Sequence, residues 1–348
     1  MSAGIRDELP QVGKAPGLIM SLRGFPREVW ILYFGTFLNK FGTFVMPFLT
    51  LYLTRNGFST REAAIALGVY GVGQFAASAL GGYLADRVGR RKTIVLSMFS
   101  AAGTMLLLSQ AQSFGALAIM IFAAGLTGEL YRPASSALLA DLVPPSQRVT
   151  AYAGYRLALN AGFAFGPAAA GFLAKNSYLW LFVGDALTSM LYGLVAWFAL
   201  PHGQRSKVEE SGWGEAAHVM MRDRQFQRML LASAPIAFVF FQMSSTFGLH
   251  VTSFGIPDTG YGVLLSLNGL LIVVLELAMT SFTQRFRATR VMAVGYVLIG
   301  FGFALNAFAT TVPTLAIAMT IFTFGEMTAM PVAGAYVANL APLNMRGR

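Results

Sequence analysis

Residues 133–148 read PASSALLADLVPPSQR, and residues 331–346 read PVAGAYVANLAPLNMR. Pro133, Asp141, Leu142, Pro144 and Arg148 recur as Pro331, Asn339, Leu340, Pro342 and Arg346, each 198 residues further on. The same offset pairs Leu51 with Leu249, Thr54 with Thr252, Gly57 with Gly255, Leu67 with Leu265, Gly71 with Gly269, Ala137 with Ala335 and Ala140 with Ala338. Small and apolar matches arise readily by chance in apolar helices, so the weight rests on the proline and arginine set. A repeat of this length is a bundle-sized unit, and the architecture follows from what fills it.

What fills it is apolar helix. The chain has 348 residues, 55% of them hydrophobic and 11% charged, with a mean hydropathy of +0.60. Soluble domains carry about a quarter charged residues. Ten segments are long enough to cross a bilayer: 29–53, 63–85, 93–110, 114–142, 149–174, 178–200, 226–251, 261–284, 291–310 and 312–340. The fold class is therefore all-α and polytopic. The first copy holds six helices, and an even number sets both copies in one orientation, as parallel repeats require. Its end near Leu200 corresponds to position 398, whereas Arg348 corresponds to Thr150. The repeat therefore predicts two helices beyond Arg348, ten of twelve being present. The expected organisation is a cytoplasmic segment 1–28, a six-helix bundle 29–200, a polar linker 201–225 with a short interfacial helix around Trp213, and a second bundle 226–348. Segment 1–28 has no adequate apolar region for a cleaved signal peptide. The absence of cysteine excludes a disulfide scaffold, thiolate metal sites and thiol nucleophiles.

Loop charge gives an orientation. With the amino terminus inside, nineteen Lys and Arg residues fall on the cytoplasmic side and three (Arg55, Arg61, Lys175) opposite. The formal net charge of +10 is then a topology signal, and no basic run interleaved with aromatics points to nucleic acid.

Between the second and third helices stands Gly82-Tyr-Leu-Ala-Asp86-Arg87-Val-Gly89-Arg90-Arg91-Lys92. Gly82 and Gly89 suit close approach and a tight turn, and Asp86 can accept hydrogen bonds from a helix N-terminus or an arginine. Topogenic charge alone would explain Arg90 to Lys92 but not the Gly and Asp spacing. The stretch resembles the loop signature of the major facilitator superfamily at the loop where that family carries it. The resemblance implies that Asp86, with Arg87, Arg90, Arg91 and Arg148, serves a conformational latch between two halves. In the second copy Gln284 replaces the Asp and Arg285 remains. The fifth helix carries Gly162-Phe-Ala-Phe-Gly166-Pro167-Ala-Ala-Ala170-Gly171, similar to a signature of that family's drug/proton antiporter branch, with Ala170 in place of a glycine. Small residues four apart allow close helix packing, and Pro167 frees a carbonyl that a neighbour must satisfy.

Seven ionisable residues fall within spans: Lys40, Glu129, Arg132, Arg156, Asp185, Glu276 and Glu326. Facing lipid would cost about 3 kcal/mol each and about 20 kcal/mol together. They are expected to face a wet cavity or one another. Glu129 and Arg132, three apart, share a helix face, and Arg156 of the fifth helix is placed to join them. Proton carriage by Glu129 and a static salt bridge both fit the sequence. Glu276 and Glu326 are second-rank candidates, and Asp185, beside Gly184, fits a cap or pair near a helix end. Lys40, after Asn39, is expected to line the cavity; His250 is expected at an interface.

Three histidines without ligand spacing, no Asp-rich motif and no phosphate-binding loop disfavour an enzyme or a nucleotide-driven pump. The reading is a secondary active transporter in a bacterial-type inner membrane. Its partners are the bilayer, a proton and a small organic substrate; no cofactor or nucleic acid is called for, and the family implies a monomer. Proton-coupled export of drugs or metabolites by alternating access leads; import of a sugar or metabolite on the same fold, and a non-transporting sensor or scaffold, are the alternatives.

Overall fold

The structure is a computed structural model describing residues 24–144, 147–203, 224–283 and 285–340. The amino-terminal segment before residue 24, the linker 204–223, Gln284 and the Pro342 to Arg346 end of the repeat lie outside the described residues. The helices are α1 (Arg27–Phe41), α2 (Val45–Arg55), α3 (Thr60–Arg87), α4 (Arg90–Leu108), α5 (Phe114–Glu129), α6 (Tyr131–Leu142), α7 (Arg148–Asn176) and α8 (Leu179–Ala199). There follow α9 (Arg224–Gln242), α10 (Thr246–Ser253), α11 (Asp258–Thr283), α12 (Ala288–Ala304) and α13 (Val312–Leu340). Among the described residues nine helical stretches are long and apolar enough to span a membrane, or ten if α9 and α10 form one span. Each coincides with a segment read from the sequence. Phe75, Phe198, Leu231 and Phe308 are 81, 79, 73 and 84% exposed. Side chains of that size facing outward suit hydrocarbon, not water.

Two compact units are present: residues 24–203 with 244–270, and residues 224–243 with 271–340. The first is built around Leu32, Ile94, Met98, Tyr131, Leu138 and Tyr192. In the second, Gly295 and Gly302 bring α12 against the backbone of α13, and Met229, Val291, Met292 and Val332 form a small core.

Local chemistry sets the helix ends. Ser59 and Glu62 form a reciprocal cap on α3: Ser59 N donates to Glu62 Oε2 at 2.7 Å and Glu62 N to Ser59 Oγ at 3.2 Å. Gly89 turns the chain from α3 into α4 at φ +103°, a conformation that a Cβ would strain.

Two spans run as the single stretches that the sequence suggested, but each contains a short break in the helix ladder. The first, expected over 29–53, stops at Phe41 and resumes at Val45. Pro47 has no N–H, so it cannot bond the Thr43 carbonyl, and the N-terminus of α2 is left open. Phe44 N turns back to Gly42 O at 2.7 Å, and the carboxylate of Asp185, buried on α8, faces the backbone N–H groups of Phe44 and Val45. In the fourth span, Ser97 of α4 inserts into the ladder at the α5–α6 junction. Its Oγ donates to Thr127 O at 2.5 Å and accepts from Tyr131 N at 3.1 Å, two residues before Pro133. A side chain inserted in this way is a known cause of kinks.

Candidate functional site

Both breaks serve one cluster. Glu129 is the last residue of α5 and Arg132 the second of α6, so the junction sets them astride the kink. Lys40 lies in the last turn of α1, just before the other break. Lys40 Nζ donates to Glu129 Oε1 at 2.9 Å, and Arg132 Nη1 to Glu129 Oε2 at 3.2 Å. Each carboxylate oxygen thus has its own cation. The Lys40 ammonium also stands 5.9 Å from the centre of the Tyr131 ring. The carboxylate is 10% exposed, Lys40 17% and Arg132 56%, so the guanidinium is the wet side of the triad. It opens on a cavity of about 360 Å³, lined also by Gln74, Ser78, Ser136 and Tyr155.

Lys40 is therefore paired with Glu129, not free to line the cavity as its sequence position suggested. Its place near a helix C-terminus aims the ammonium across to the other kink. Arg156 is exposed on α7. Asn39 is buried, its amide donating to Met98 Sδ at 3.5 Å. Asp185 caps α2, while Glu276 and Glu326 lie half-buried in the second unit, on α11 and α13. Gln74, Ser78 and Tyr155 were not singled out by sequence; a glutamine in an apolar helix is the one signal that could have marked the cavity.

The loop 82–92 closes one end of the first unit. Arg90, nearly buried at the start of α4, forms an ion pair with Asp141 at 2.7 Å. Arg91 donates to Leu200 O at 3.3 Å and meets His202 at 2.7 Å. Arg148 donates to Ala140 O at 3.2 Å, closing the exposed carbonyl end of α6. Arg87 covers the Tyr83 ring at 4.9 Å. Two expectations change. A Cβ on Gly82 would meet nothing within 4 Å, and the close approach belongs to Gly81, against Leu130 O. Asp86 is half-buried and makes no hydrogen bond or ion pair among the described residues; the ion pair at this loop is made by Arg90 instead.

The fifth-helix motif serves two faces of α7. A Cβ on Gly162 would come within 2.6 Å of Phe37 O, and one on Gly166 within 2.6 Å of Phe41 O. These glycines admit the last turn of α1, which carries Lys40. On the other face, a Cβ on Gly262 of α11 would overlap the Pro167 carbonyl, one on Gly269 would lie 2.5 Å from Ala164 Cα, and one on Gly171 2.7 Å from Asp258 O. Ala168 N donates to Ser266 Oγ at 2.9 Å within the same seam. Backbone therefore meets backbone along α7 and the start of α11.

The model of the Major Facilitator Superfamily matches residues 29–348. The chain belongs to that superfamily. A Na(+), Li(+), K(+)/H(+) antiporter of Planococcus maritimus is 26% identical, over 94% of this chain and 86% of that protein. Multidrug resistance protein MdtH of Aeromonas salmonicida (strain A449) is also 26% identical, over 91% and 81%. Among solved structures, a mutant of the nucleoside transporter NupG superposes with a TM-score of 0.78 at 15% identity, covering 92% of this chain and 85% of that one; the likeness concerns the fold. Superfamily membership makes this chain a multi-pass membrane transporter rather than an enzyme.

Proposed function

We propose that this chain is a proton-coupled exporter of small organic molecules, working by alternating access, with Glu129 as the proton carrier. The observation that carries the reading is the arrangement of the two cations. Arg132, three residues from Glu129 across the kink, stays close whatever the bundle does. Lys40 comes from a different span, so any movement of α1 against α5 and α6 changes the charge around Glu129. A carboxylate that loses a cation takes up a proton more readily. Conformation and protonation are thereby coupled, and the cavity beside Arg132 is where a substrate would bias the change. The fifth-helix motif and the names of two relatives, an antiporter and a multidrug resistance protein, support export. The loop-charge bias supports an inner membrane with the amino terminus inside.

The Planococcus relative favours a second reading, exchange of Na(+), K(+) or Li(+) for protons. Two cations around one carboxylate make the triad a poor seat for a metal cation, so organic substrates come first. Everted vesicles preloaded with a proton gradient, and monitored by a pH-sensitive dye, separate the two. Ethidium that dissipates the gradient with the native chain but not with Glu129→Gln supports the reading. Dissipation by NaCl or KCl alone would replace the organic substrate with a cation, and equal ethidium transport by native chain and variant would remove Glu129 from the coupling.

A further inference from the structure

At the opposite end of the first unit from the 82–92 loop, three separate stretches converge on one carboxylate. Arg55 ends α2, Tyr178 stands between α7 and α8, and Asp258 opens α11. Arg55 grips Asp258 with both arms, Nη1 to Oδ2 at 2.5 Å and Nη2 to Oδ1 at 2.7 Å. Tyr178 Oη donates to Asp258 Oδ2 at 2.8 Å and lies 2.8 Å from Arg55 Nη1. The guanidinium also sits 5.5 Å from the centre of the Tyr178 ring. Burial and the neighbouring Asp258 carboxylate hold the Tyr178 hydroxyl above the usual phenol range, so it remains a proton donor in the physiological range. Asp258 is 5% exposed although it sits beside a cavity of about 380 Å³ lined by Tyr52, Asn56 and Tyr178. A bidentate arginine–carboxylate pair has a defined geometry, unlike a loose surface pair.

We infer that Arg55, Tyr178 and Asp258 form a clasp that holds this end of the transporter shut, and that substrate can pass here only after Asp258 lets go. Asp258 belongs to the repeat's second copy, and the other two residues to its first. The alignment of α2 makes the clasp more than a local tie. Asp185 caps the N-terminus of α2, Lys40 lies five residues before its start, and Arg55 is its last residue. Tyr261 Oη donates to Pro47 O at 2.9 Å and Thr50 Oγ1 to Ser244 O at 3.3 Å, so the length of α2 lies against α10 and α11. A shift of α2 that loosens Lys40 from Glu129 pulls on Arg55 as well. The inference rests on alternating access but not on the identity of the coupling ion or substrate.

The chain has no cysteine, so a single introduced thiol reports without background. Thr50, 4% exposed, lies more than a helical turn behind the clasp. The measurement is the rate at which a membrane-impermeant maleimide, added from the Arg55 side, labels Thr50→Cys in the full chain. Adding Asp258→Asn or Arg55→Gln is expected to raise the rate about tenfold, the population shift that loss of one hydrogen bond to a charged group produces. The exchanged pair Arg55→Asp/Asp258→Arg is expected to return it towards the starting value. Tyr178→Phe removes one hydroxyl from a loop and is expected to act in the same direction but less; it decides the matter if the charge variants fail to fold. Labelling that is unchanged in Tyr178→Phe and in whichever charge variants fold would overturn the clasp, whereas its failure would leave ethidium transport, and hence the exporter reading, untouched.

Discussion

Glu129 faces two cations, and its energetics differ from those of a surface pair. Desolvation of a buried ion pair offsets much of its Coulombic gain, so the pair itself adds little net stability, whereas removing one member leaves an uncompensated charge. Lys40→Met is therefore expected to leave Glu129 on Arg132 alone. Glu129→Gln strands Lys40 at 17% exposure beside the Tyr131 ring. Each single change should destabilise by about 3 kcal/mol, and the double variant Lys40→Met/Glu129→Gln by clearly less than the sum. Thermal unfolding in detergent across the four proteins measures this; additive losses would mean that the two side chains do not depend on each other. Two of the triad's three members were legible in the sequence. Glu129 and Arg132 are three apart and share a face by helix geometry alone. Lys40 is 89 residues away, and its partner depends on two helix breaks and on how α1 packs against α6, which no local pattern encodes. Asp258 was missed for a related reason: an acid in the first turn of a helix is ordinary dipole chemistry, and nothing nearby in sequence points to Arg55.

Helix elements carry the next level of constraint. The number and placement of the spans were legible because an apolar stretch of about 20 residues has few alternatives in a bilayer. The breaks were not, since Pro47 and Pro133 in their sequence context also suit an unbroken helix with a bend. The ladder opens where a side chain from another helix meets the backbone: Ser97 bonds Thr127 O and Tyr131 N, and Asp185 faces the N-terminus of α2. Ser97→Ala removes that bond from Tyr131 N and is expected to cost about 1–3 kcal/mol. Ser97→Thr keeps a hydroxyl and should retain more stability than Ser97→Ala; equal losses in the two would argue that the hydroxyl is dispensable. The α7–α11 seam makes a stricter demand. Gly262→Val would drive side-chain carbon into the Pro167 carbonyl, where backbone on both sides cannot yield. The expected outcome is loss of the folded, monodisperse protein or separation of the two helices, seen as new maleimide reactivity at Ser266→Cys. A Gly262→Val protein with native stability and an unreactive Ser266→Cys would show that the seam is looser than backbone contact implies.

At the scale of the whole molecule, orientation decides what the two ends of the first unit do. The 82–92 loop with Arg90, Arg91 and Arg148 closes one end, and the Arg55–Asp258 clasp the other. Nineteen Lys and Arg residues on the side of the 82–92 loop, against three on the clasp side, place that loop in the cytoplasm if charge sets topology. The clasp then faces outward, and a proton arriving from outside reaches Glu129 only after it opens, which is the order that proton-driven export requires. Val88 and Asn56 are exposed at the two ends and suit single-thiol reporters in this cysteine-free chain. In intact cells, an impermeant maleimide is expected to label Asn56→Cys and spare Val88→Cys, and in everted vesicles the pattern should reverse. The opposite pattern would turn the transporter over: the clasp would face the cytoplasm, the outer proton supply would enter past Arg90 and Asp141, and the inward gradient would no longer favour export through the Arg55 end. The sign of transport therefore depends on a topology that two thiols can read.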